Sequence, residues 1–129
     1  MQIRSPNDSE IQAIHRLLCA NGWAHRVGDI HDLGRLIAAS QRTMVAVVDM
    51  EVVGFARAIT DGISNGYVSM VVVAEACRRQ GIGQALVERL VGYDPHITWM
   101  LRAGREGAVE FFAKLGFIAS TTAMERQRR

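Results

Sequence analysis

"YVSMVVVAEACRRQGIGQALVERLV", residues 67–91, joins a run of β-branched residues to an amphipathic repeat through a loop that holds Arg78, Arg79, Gln80, Gly81 and Gly83. Tyr67 to Val73 reads as a buried strand. Ile82, Ala85, Leu86 and Leu90 then fall on one face of a helix that stops at Gly92. The first N–H groups of such a helix have no intrahelical acceptor, and its dipole places about half a positive charge there. Glycines at 81 and 83 let backbone come close, so the amides of Arg79 to Gln84 suit a diphosphate, with Arg78 and Arg79 adding charge.

On the N-terminal side, "TMVAVV" (43–48) and "VVGFARAIT" (52–60) are β-branched runs bounded by "DME" and "DGISNG", which suit turns. With Tyr67–Val73 they predict three antiparallel strands. Earlier still, "SPNDSEIQAIHRLLCANG" (5–22) predicts a helix with Ser5 as N-cap, Pro6 at its first position and Gly22 at its end. "GDIHDLGRLIAAS" (28–40) predicts a second, capped by Asp29 and weakened at Gly34 by roughly 1 kcal/mol relative to alanine.

On the C-terminal side, "HITWMLRA" (96–103) reads as a buried strand. "EGAVEFFAKLGF" (106–117) reads as a helix through Ala108, Phe111, Phe112 and Leu115 with Gly116 as its C-terminal cap. "FIAS" and "TAMERQ" close the chain as two short strands. The order β, α, α, β, β, β, α, β, α, β, β predicts an α/β (α+β) domain over residues 1–129, its central sheet mixed and mostly antiparallel. Tyr67–Val73, the helix from Ile82 and Ile97–Arg102 form a β-α-β crossover, expected to be right-handed with parallel strands.

With 129 residues, 49% of them apolar, the chain is long enough for one sizeable core. A net charge of +2, carried almost wholly by dispersed arginines, lacks the basic stripe of a nucleic-acid binder. Cys19 and Cys77 form no C-x-x-C pair and the first residues do not read as a secretory leader, so the expected compartment is a reducing cytoplasm. No apolar run approaches the roughly 18 residues of a membrane span. His15, His25, His31 and His96 lack ligand-like spacing, and no metal is expected.

Two nucleotide-binding patterns fail on the loop. A P-loop needs Lys and Ser/Thr where Gln84 and Ala85 stand, and the dinucleotide fingerprint needs glycine at Leu86. The stretch instead resembles motif A of the GCN5-related N-acetyltransferases, the GNAT superfamily, whose R/Q-x-x-G-x-G/A core corresponds to Arg78-Arg79-Gln80-Gly81-Ile82-Gly83. "GAVEFFAKLGF" resembles the family's motif B, and the element order is similar to the GNAT fold from end to end.

The resemblance implies an N-acetyltransferase that moves an acetyl group from acetyl-CoA to a small-molecule or peptide amine, by direct attack and without a metal. The alternative is an acyl-CoA-binding or sensing module with little or no transfer. By position, Arg78, Arg79, Gln80, Gly81, Ile82, Gly83 and Gln84 would hold the pyrophosphate, with Arg105 and Phe112 also against coenzyme A. Val71, Val72 and Val73 would lie along the pantetheine arm, and the Val71 amide would face the thioester carbonyl. Family bases on the fourth strand fall on Tyr67 and Ser69, neither of which is basic at neutral pH. The family's acid, a tyrosine in motif B, falls on Phe112, and its frequent asparagine near coenzyme A falls on Arg105.

A lysine-like amine costs about 4.6 kcal/mol to deprotonate at pH 7. Glu75, Asp61, His25 and His31 are the candidates for relaying that proton through water. An acceptor of low pKa would need little help. The family often dimerises, so a homodimer is the expected assembly.

Overall fold

The chain, described by a computed structural model over all 129 residues, builds its sheet outward from one hairpin. β2 (Arg42–Val48) and β3 (Glu51–Thr60) are joined by Asp49 and Met50, which both take positive φ, 49° and 66°. A two-residue turn of that hand matches the twist of antiparallel strands. β4 (Asn65–Val73) continues the antiparallel order beside β3, β1 (Gln2–Arg4) adds to β2, and β5 (Thr98–Leu101) runs parallel to β4, giving the order β1-β2-β3-β4-β5.

Helices cover both faces. On one, α1 (Ile11–Leu18) and α3 (Ile30–Ala38) bring Ile14, Leu18 and Leu33 onto Val45, Phe55 and Val72. On the other, α4 (Ile82–Val91) seats Ile82, Leu86 and Leu90 on Ala46, Ala56, Ala58 and Val68. The small residues there allow close contact: a Cβ on Gly54 would stand 2.8 Å from Leu86 Cδ1. Arg42 of β2 caps the far end of α4, its Nη1 donating to the carbonyls of Leu90 (2.9 Å) and Val91 (3.2 Å). No helix is long and apolar enough to cross a membrane.

Several local expectations are corrected. The first helix is capped at Asn7, not Ser5: Asn7 and Glu10 exchange a capping box around a 3₁₀ turn, Asp8–Glu10, before α1 begins. Glu10 is held there because Arg4 grips it through two bonds of 2.8 and 2.9 Å, tying β1 to the turn. α1 ends at Leu18, four residues short of Gly22; Asn21 and Gly22 break the helical path inside an irregular turn over Cys19–Trp23, and a short further helix, α2 (Ala24–Val27), follows. Asp29 caps α3 as expected, accepting from the Asp32 N–H.

The strand expected over residues 96–103 is shorter and half-exposed, because β5 lies at the sheet edge. α5 (Ala108–Ala113) stops before Leu115, with Gly116 at φ 92° closing it. The Gly116 N–H donates to Ala113 O and the Phe117 N–H to Phe112 O, satisfying the last carbonyls of the helix. Residues 117–129, expected to supply two strands, pair with nothing in the sheet. An ion pair from Arg102 Nε to Glu125 at 2.6 Å holds this tail beside β5.

The β3–β4 loop is organised by Asp61, which accepts from the Ser64 hydroxyl (2.5 Å) and from the N–H groups of Ile63, Ser64 and Asn65. The Ser64 hydroxyl first, then the three amides, hold this carboxyl below the usual aspartate range. A group depressed in this way stabilises the fold above its unfolded pKa of about 3.9 and loses that contribution as pH falls. Asp61→Ala is therefore expected to lower the urea midpoint at pH 7, with the gap to the wild type closing below about pH 4. Met50, almost fully exposed and left-handed, has the opposite prospect: Met50→Gly should raise stability by about 0.5–1 kcal/mol in the same assay.

Candidate active site

β4 and β5 pair only from Asn65–Thr98 to Val68–Leu101. From Ser69 to Val73, β4 stays against β3 on one side and has no strand on the other. Two features place the divergence. At the paired end, a Cβ on Gly66 would lie 2.3 Å from the Trp99 ring, so glycine is what lets β5 approach so closely. At the other end the register steps from Arg57–Ser69 to Phe55–Val72, leaving Met70 and Val71 together opposite Ala56, with Met70 at φ 56°. Such a bulge bends and twists the strand that carries it.

The bulge also exchanges faces. Val68 packs on the α4 side, yet Met70 and Val72 enter the core under α1, and Val71 and Val73 take over the α4 side. The Ala74 N–H donates to Val53 O at 2.7 Å. Alternation along the strand then turns the Val71 and Val73 N–H groups toward the bare edge. Val72, expected to join them, turns its N–H to β3 and packs in the core under α1, though it too borders the cleft.

The loop 78–83 leads from this edge into α4. Arg79 and Gly81 have φ of 64° and 84°, and the first bond of α4 is Ala85 N–H to Gly81 O at 3.0 Å. None of the six N–H groups from Arg79 to Gln84 donates to any group of the protein. A Cβ on Gly83 would lie 3.1 Å from Phe111 Cζ, so the bare glycine backbone keeps the cradle open against α5.

Arginines brace the entrance. Arg78 donates through Nε to Val73 O (3.0 Å) and through Nη2 to Asn21 Oδ1 (2.6 Å). Arg105 donates to Asn21 O at 2.6 Å and lies 4.3 Å over the Trp23 ring. Burial first, then the charge of Arg78, lowers the Arg105 pKa. Together these elements enclose a cleft of about 1970 Å³ whose wall carries, apart from the buried Arg57, eight Arg or Lys side chains and two Glu, a field suited to a polyanion.

The cleft gathers Tyr67, Ser69, Val71, Val73, Arg78, Arg79, Gly81, Ile82, Gly83, Gln84, Arg105 and Phe112. Gln80 contributes its N–H to the loop, while its side chain stays off the wall. Three candidate proton carriers are misplaced. Glu75 is exposed on a 3₁₀ turn outside the cleft, Asp61 is tied into its own loop, and His31 lines a separate groove between α1 and α3. His25 is on the wall, at its exposed rim. Phe112 is buried, edge-on to Phe111 (4.9 Å) and Phe117 (5.7 Å), and offers no proton.

The sequence reading missed Arg57. It is the one charged residue in the interior and lies opposite Ser69, on the α1 face of the sheet with Phe55. In "GFARAIT" it occupies the inward parity between Phe55 and Ile59, a charge where the alternation calls for an apolar side chain; that was the available signal.

The sequence pattern of the acetyltransferase (GNAT) domain matches residues 39–119. No curated protein matches the chain. Among solved structures, a GNAT-family protein from Xanthomonas campestris pv. campestris is 24% identical, with a TM-score of 0.81 over 99% of this chain and 94% of that one. A GNAT-family acetyltransferase from Streptococcus pneumoniae TIGR4 is also 24% identical, with a TM-score of 0.79 over 99% and 96%. An aminoglycoside 6'-N-acetyltransferase complexed with coenzyme A is 27% identical, with a TM-score of 0.61 over 70% of this chain and 53% of that one. The match spans the sheet from β2 onward, the loop and both helices of the cleft, and the chain belongs to the GNAT acetyltransferase family.

Proposed function

We propose that the protein is an acetyl-CoA-dependent N-acetyltransferase that acetylates a primary amine by direct transfer. The observation that carries this reading is the adjacency of six acceptor-free N–H groups, Arg79 to Gln84, to the bare edge of β4. Coenzyme A has the matching parts. Its diphosphate suits converging amides at a helix N-terminus, and its extended amide-bearing arm suits a strand edge that lacks a partner. The cationic wall suits its remaining charge.

When bound, acetyl-CoA supplies an acyl group activated as a thioester. The chain's own contribution is mainly positioning and charge. The Val71 N–H, turned to the bare edge, would donate to the carbonyl oxygen as negative charge develops there, a contact whose loss costs about 3–4 kcal/mol in other acyl transfers. Val73 would add a second backbone donor further along. Tyr67 and Ser69 would wall the acceptor side, and Tyr67 carries the cleft's one phenol. With Phe112 unable to protonate the leaving group, departure would rely on Tyr67 or on the intrinsic ease with which a thiol of pKa about 8.5 leaves as thiolate. An acceptor amine of low pKa fits a wall whose one histidine stands at the rim.

One observation favours a second reading, an acyl-CoA-binding module. Buried Phe112 leaves motif B without its proton donor, and no carboxylate stands on β4 beside the bare edge. Thiol release across a panel of primary amines separates the two: release with at least one amine supports transfer, and coenzyme A binding without release for any amine overturns it. Gly83→Glu, which fills the cradle and adds a like charge, is expected to weaken coenzyme A binding by about a hundredfold or more in titration calorimetry, while circular dichroism remains native. Intact binding by that variant would refute the loop assignment.

A further inference from the structure

Arg57 is 8% exposed, and its surroundings do not neutralise it. Its Nε donates to Ser40 Oγ at 2.9 Å, a neutral partner, and none of the protein's ion pairs includes it. Neither Nη group bonds within the protein, and neither is sealed from the cleft. Burial lowers its pKa and Tyr67 opposes that effect, but a guanidinium stays charged throughout the neutral range. A buried charge is ordinarily paired. This one keeps its planar fork of donors open to a cavity.

Its side of the sheet separates it from the phosphate cradle. Arg57 shares the face of Phe55, α1 and the end of α3, whereas Val71, Val73 and the N-terminus of α4 lie on the other. It is also close to the bare edge. Arg57 opposes Ser69, two residues before Val71, which by strand spacing puts its Cα roughly 8 Å from that of Val71.

We propose that Arg57 seats a carboxylate of the acceptor, so that the substrates are compact primary amines of the amino-acid class. The inference rests on the transferase reading above. One guanidinium matches one carboxylate in charge and in bidentate geometry, whereas a phosphate dianion would leave a charge unmet. The short span from Arg57 to the Val71 amide allows few bonds between carboxylate and amine. A neutral amine or a polyamine offers nothing to the open fork.

The test compares each acid with its own carboxamide: glycine, β-alanine and 4-aminobutyrate against glycinamide, β-alaninamide and 4-aminobutanamide. Binding is read by ligand-observed NMR titration with coenzyme A present, so no turnover is required. At least one acid is expected to bind about tenfold or more tightly than its amide. Arg57→Gln should reduce that acid to the level of its amide, and Arg57→Lys should keep part of the preference, with coenzyme A affinity unchanged in both. Equal binding of every acid and amide by the wild type overturns the proposal, as does a preference that survives in either Arg57→Gln or, at full strength, Arg57→Lys. The wild-type comparison decides even where a variant fails to fold. Failure of the transferase reading shows separately, as absence of thiol release.

Discussion

Four residues of parallel pairing, Asn65 to Val68 against Thr98 to Leu101, are all that join β5 to β4, and everything the cleft offers follows from where that pairing stops. Backbone N–H and C=O groups demand partners wherever water is scarce. β4 has a full set on its β3 side and few on the other. The Val73 carbonyl is met by Arg78, but the Val71 and Val73 N–H groups are left to whatever extended chain enters. The sheet is thus left unfinished beside a loop of unspent donors, and one ligand can complete both.

The two faces of the sheet divide the remaining work. The α4 face presents the loop, Gly83 and the valines after the bulge. The α1 face presents Tyr67, Ser69 and the buried charge of Arg57. The gap between β4 and β5 is where groups from both faces meet. Arg78 and Arg105 anchor this arrangement to the Cys19–Trp23 turn, so the irregular end of α1 serves as a wall of the cleft.

The fold was legible where sequence periodicity and burial agree. The hairpin strands, α3 with its Asp29 cap, and α4 from Ile82 to Gly92 follow directly from apolar spacing and capping chemistry. It was illegible where a particular side-chain contact, and not periodicity, decides. Asn7 displaces Ser5 as cap because Arg4 fixes Glu10, and the tail, held by the Arg102–Glu125 ion pair, joins no strand. The backbone half of the site was readable because glycines and helix starts announce themselves. The side-chain half was not: Glu75 and Asp61 have suitable chemistry but face elsewhere, and Arg57 hides inside an apolar strand.

The bulge at Met70 has one more consequence, for how such a strand can change over generations. Ser69 and Val72 oppose Arg57 and Phe55, two residues apart on β3, so both keep to the α1 face whether one residue or two stand between them. Substitutions can adjust bulk at Met70 or Val71 and leave that pairing alone. Deleting either would leave one residue opposite Ala56 and Val72 still opposite Phe55, so core and cleft faces would be kept while the bend and extra twist of the bulge were lost. The faces of the strand would survive that loss; the bend that helps part β4 from β5 would not.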